Sequence, residues 1–190
     1  MRARILLPSL ALLLVAACQS YQGDVGSPYY VVPAGTRLAL NQPLSFAPGQ
    51  VSLHVQNGRV VPMNQVRAYD PFCKFELYTR IEAARTVQPH EITVTGARQY
   101  RFDGNYSALD GLQLAGLSFG LYAQAGGEPE GGVPVFSYLT RMDLQSPAEP
   151  DVYRLTCLRW SYPGMAEHVS IAEIRQTLSP LFTLRLPAGR

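Results

Sequence analysis

The chain has 190 residues, 47% of them apolar, with 16 cationic and 14 acidic side chains. That length suits one domain with a sizeable core. Fifteen of the cations are Arg, spread along the chain, and Lys74 is the only Lys; with no basic run to track phosphates, nucleic-acid binding is not expected. Arg can grip phosphate or carboxylate bidentately, but this dispersal fits a GC-rich coding bias better than a single anion site.

Arg2 and Arg4 form a short cationic start, and residues 5–17 are apolar and uncharged. Small residues, Ala16 and Ala17, lead into Cys18. This is the three-part layout of a secretory signal. The 13-residue apolar run falls short of the roughly 20 residues a membrane-spanning helix needs, and Pro8 interrupts it. Val15, Ala16, Ala17 and Cys18 resemble, position by position, the lipobox of bacterial lipoprotein precursors. The resemblance implies a signal peptide over 1–17, diacylglyceryl transfer to the Cys18 sulfur, cleavage before Cys18 and acylation of the new terminus. The plainer alternative is an ordinary signal peptide with Cys18 an incidental thiol. Two or more lipid chains anchor a protein stably. Gln19, where the sorting rule of enteric lipoproteins would use Asp for retention, implies the outer membrane, on its periplasmic face. Loss of Arg2 and Arg4 leaves 14 cations facing 14 acids, so the mature chain is near neutral. Once Cys18 carries lipid, Cys73 and Cys157 remain. An even pair in an exported chain predicts a disulfide.

Residues 18–35 show no helical or strand period and read as a lipidated tether, leaving 36–190 as a single β-rich domain. Leu38 and Leu40 open the strand pattern. Val51, Leu53 and Val55 alternate with Ser52, His54 and Gln56, as in a half-buried strand. Asn57 and Gly58 supply a tight turn before Val60 and Val61. Cys73, Phe75 and Leu77 share one face of the next strand, with Lys74, Glu76 and Tyr78 on the other. A strand over 91–95, with Ile92 and Val94 inward, is expected to break at Gly96 before a short one over 98–102. Residues 103–111 and 125–132 read as loops, and 112–122 is apolar and Gly-interrupted. Further strands are expected over 133–144 and 152–160, where Cys157 shares a face with Leu155.

Ser170 and Glu173 have capping-box spacing, with Val169 and Ile174 placed for a hydrophobic staple. Ile171, Ile174 and Leu178 form an apolar stripe, so a helix is expected over about 170–179, followed by a final strand over 181–186. The fold class is therefore mainly β: an antiparallel β-sandwich or barrel-like domain with one short C-terminal helix. Four stretches of the body resemble a family of uncharacterised Gram-negative envelope proteins: Gln56, Asn57 and Gly58; residues 69–76 (YDPFCKFE); Leu155, Thr156 and Cys157 with Trp160; and Glu173, Ile174 and Arg175. That family carries no assigned chemistry to transfer.

The sequence offers no catalytic or metal-binding motif and no cofactor beyond the lipid on Cys18. His54, His90 and His168 are scattered. Asp103, Asn105 and Ser107 alternate like a calcium loop, but Ala108 and Leu114 stand where an EF-hand needs Gly and an acid. Glu128 and Glu130 read as a solubilising loop tip. The first expectation is a lipid-anchored envelope protein with a non-enzymatic binding or structural role, its partner an envelope protein or a glycan. A small-ligand or lipid carrier is the second, with Phe119, Phe136 and Phe182 lining a cavity. A hydrolase with an unrecognised site is the third.

Overall fold

A computed structural model describes residues 23–103, 135–162, 164 and 167–188. Ten strands and one α-helix follow in chain order, with a single 3-10 turn at Met63–Gln65: β1 (Arg37–Leu40), β2 (Leu44–Phe46), β3 (Ser52–Gln56), β4 (Arg59–Val61), β5 (Phe72–Leu77), β6 (Arg85–Val87), β7 (Glu91–Asp103), β8 (Phe136–Gln145), β9 (Val152–Ser161), α1 (Ile171–Leu178) and β10 (Phe182–Arg185). Eight strands make one antiparallel sheet in the order β10-β1-β7-β8-β9-β5-β3-β4, and β2 pairs with β6 in a separate ribbon.

The large sheet curls on itself. β5 and β10 are five strand spacings apart, about 24 Å if the sheet were flat. Yet the Phe75 and Phe182 rings meet at 5.4 Å, and Phe46 from the small ribbon joins Phe75 at 6.4 Å. The concave face holds the main core, including Leu38, Leu40, Val55, Ile92, Val94, Met142 and Leu155. Helix α1 covers one opening. Its Thr177 carbonyl accepts from Gly58 N at 2.8 Å, and Arg175 Nε donates to Leu184 O at 3.1 Å, so it ties the β3–β4 turn to β10. Asn57 and Gly58 both take positive φ, as that turn requires. A Cβ on Gly58 would stand 1.9 Å from the Ser179 carbonyl oxygen, so the close approach also demands glycine.

Three findings differ from the sequence-based expectations. Gly96 does not end a strand: β7 runs unbroken, and a register shift between Val94 and Gly96 marks a bulge. The extra residue moves the core-facing set from Ile92 and Val94 to Ala97, while β8 keeps its own alternation. The stretch expected to be tether is packed at its C-terminal end, with Tyr30 and Val32 in the main core and Pro28 O accepting from Gln99 Nε2 at 2.8 Å. The third is the sheet's other face. Lys74 and Glu76 are 3% and 2% exposed, and His54 and Gln56 are buried too. Every residue of β5 is buried, as in a strand covered on both sides. Part of that second layer is a small cluster of Phe72, Leu139 and Leu158 under Val66, Ala68 and Phe102.

Candidate functional site

The two cysteines of the folded body lie side by side. Cys73 and Cys157 are directly paired across β5 and β9, their Cα atoms 4.0 Å apart, and form a disulfide that is wholly buried in the core. The capping box is also present. Ser170 Oγ accepts from Glu173 N at 3.3 Å, and Glu173 Oε2 accepts from Ser170 N at 2.9 Å. Arg159 adds a fork to the Glu173 carboxylate at 3.0 and 3.1 Å, a bidentate pairing that favours Arg over Lys. Burial raises the Glu173 pKa, but the Ser170 backbone and side-chain bonds and the Arg159 charge outweigh it and leave it lowered. Val169 and Ile174 are both buried beside this cap.

The histidines do not converge. His54 packs on Phe72, and His90 Nδ1 lies 2.6 Å from Gln88 O. His168 sits edge-on to Tyr29 and Tyr138, at 6.2 and 5.5 Å. Burial lowers the His168 pKa and the nearby Arg159 charge adds to this, against a hydrogen bond with the Leu139 backbone. Among the described residues, no three His, Cys, Asp or Glu side chains are grouped so as to hold a metal ion. On the second sheet face Lys74 Nζ meets Glu76 Oε1 at 3.1 Å, with Arg154 Nε 4.0 Å from Glu76 Oε2. Phe182 packs against Phe75, and Phe136 lies beneath the Arg101 guanidinium. Cys18, residues 1–17, Phe119, Asn105, Ser107, Glu128 and Glu130 lie outside the described residues.

An aromatic cluster that sequence reading did not single out stands at the C-terminal end of β9. Tyr69 and Tyr162 are about half exposed, their rings 5.4 Å apart and inclined at 31°. Tyr69 Oη donates to Tyr162 Oη at 3.2 Å, the main reason its pKa is raised. Trp160 meets Tyr69 edge to face at 6.0 Å, and its sheltered Nε1 has no hydrogen-bond partner. Two anchors hold the loop that carries Tyr69. Trp160 N donates to Ala68 O at 2.7 Å, and the Gln56 amide clamps Arg67 through N and O, each at 3.0 Å. Gln56 and Arg67 of this clamp also line a depression of about 350 Å³, with Asn57, Arg59, Val61 and Gln65. Tyr69 and Tyr162 are 93 residues apart, so no local pattern joins them. Two of the stretches with an envelope-protein resemblance did contain Tyr69 and Trp160, without a role.

The cluster can stack flat apolar surfaces against its rings with tyrosine hydroxyls at its edge, and the depression shares the loop's Arg67 and offers amide and guanidinium donors. Rings held in advance lose little freedom on binding. Against known proteins, the chain matches no family model, no curated protein and no solved structure. The functional reading therefore rests on the residues themselves.

Proposed function

We propose that this chain is a lipid-anchored envelope protein of the outer membrane, facing the periplasm, with a non-enzymatic binding role. The lipobox-like Val15, Ala16, Ala17 and Cys18, with Gln19 after them, support the address. The observation that carries the binding role is the exposed stack of Tyr69 and Tyr162 with Trp160 at its edge. A glycan fits this cluster best. The C–H faces of a sugar ring lie favourably on the negative faces of aromatic rings, and sugar hydroxyls take hydrogen bonds from the rim. Gln65, Arg59 and Arg67 beside the loop provide such donors, and Arg suits any carboxylate the glycan carries.

Sedimentation of the purified protein with isolated peptidoglycan tests this. The wild type is expected to pellet, and Tyr69→Ala with Tyr162→Ala to weaken binding at least tenfold while the variant still unfolds cooperatively in urea, with its midpoint lowered by about 1 M at most. Wild-type protein that stays in the supernatant, or a double variant that pellets equally, would refute the glycan assignment.

A further inference from the structure

We infer that the folded domain also rests directly on the bilayer, through the face from which its anchor segment leaves. This rests on the lipid anchor proposed above and adds an orientation to it. The chain packs onto the sheet as early as Pro28, whose carbonyl bonds to Gln99 of β7. Pro28 is only ten positions beyond Cys18, a reach of at most about 35 Å even if fully extended. A lipid on Cys18 therefore keeps Pro28, and the face it packs on, within that distance of the headgroups.

The face is dressed for that contact. Three of the eight large apolar side chains exposed among the described residues, Val25, Tyr29 and Val31, fall within seven positions of one another. Tyr29 is 65% exposed, while its neighbours Tyr30 and Val32 point into the core. Successive turns, closed by Ser27 N to Asp24 O and Tyr30 N to Ser27 O, lead into this stretch, where Tyr30 and Val32 fix the segment and Tyr29 and Val31 are presented outward. Behind Tyr29 stands His168, then Tyr138, the cross-strand neighbour of Arg101. The Arg101 guanidinium lies 4.7 Å over the Phe136 ring. Tyrosines with one apolar side and one hydroxyl suit the membrane–water boundary, and a neighbouring Arg favours anionic headgroups. The bilayer is the occupant the tether length selects; a protein partner would need no such proximity to Cys18.

The lipidated full chain in phosphatidylethanolamine–phosphatidylglycerol vesicles tests the inference. Cys73 and Cys157 are joined and Cys18 carries lipid, so a cysteine introduced by Tyr29→Cys, Val31→Cys or Tyr78→Cys takes a nitroxide uniquely. Tyr78 is the control, 76% exposed and bonded through its N–H to Asp151, at the opposite end of β9 from Tyr162. The ratio of oxygen to nickel-chelate accessibility is expected to be at least threefold higher at 29 and 31 than at 78. Equal ratios in protein that pellets with the vesicles would overturn the docking and leave the anchor standing. Protein that does not pellet, with an unmodified Cys18 by mass, would overturn the anchor and the docking with it.

Discussion

Removing the Cys73–Cys157 bridge should be the most damaging conservative change in the domain. The bond closes 84 residues of sequence between two strands in the middle of the eight-stranded sheet. The chain-entropy account assigns a loop of that size about 4.5 kcal/mol. Both sulfurs are fully buried, with Val55 opposite Cys73 and Thr140 opposite Cys157 on the same sheet face, so the strands remain packed even when the bond is gone. The loss expected for Cys73→Ala with Cys157→Ala is therefore about 4 kcal/mol, against a typical domain stability of roughly 5–15 kcal/mol. Urea denaturation of the purified protein measures it. With a slope of roughly 2 kcal/mol per molar urea, the midpoint should fall by about 2 M. Reductant should lower the wild-type midpoint similarly and leave the double variant unmoved. A shift below about 0.5 M, or a variant still sensitive to reductant, would refute the reasoning.

Ser170→Ala removes the side-chain half of the capping box and should lower stability by about 1 kcal/mol in the same urea assay; an unchanged midpoint would contradict the cap. Glu76→Gln removes the carboxylate that Lys74 Nζ meets at 3.1 Å in a buried setting, and should cost about 3 kcal/mol or more, with under 1 kcal/mol counting against a buried charge pair. Acid should weaken the fold in two stages. His168 has a lowered pKa in the fold, so its contribution is complete above about 6.5 and fades as pH falls from there. Glu173 is also lowered, so its contribution is present above about 4.3 and is lost as pH drops through its folded value. Urea midpoints across pH 3–8 check the sign. Glu173→Gln should flatten the lower stage, and a midpoint that rises on acidification would be the wrong direction.

The sequence made the order of elements readable because most strands alternate cleanly and the helix is marked at both ends. Ser170 and Glu173 signal its start, and Pro180 follows its last turn. The short ribbon of β2 and β6 is not legible, since strands of three residues carry no measurable period. Gly96 was misjudged because a glycine that ends a strand and one at a bulge look alike without a partner strand. Alternation also misled at Lys74, Glu76 and His54. It separates two faces by residue type but does not report whether the polar face is covered. Tyr69, Trp160 and Tyr162 were unreadable as a site for a different reason. Their meeting depends on one loop being clamped by Gln56 and hydrogen-bonded to Trp160, contacts that exist only in the folded sheet.

Intact-mass analysis of the native, non-reduced protein taken from membranes tests the central claim most directly. The expected species begins at Cys18, carries a diacylglyceryl group and an N-terminal acyl chain, and is two hydrogens lighter than the dithiol form because Cys73 and Cys157 are joined. A chain that keeps residues 1–17, or that begins at an unmodified Cys18, would contradict the lipid-anchored account.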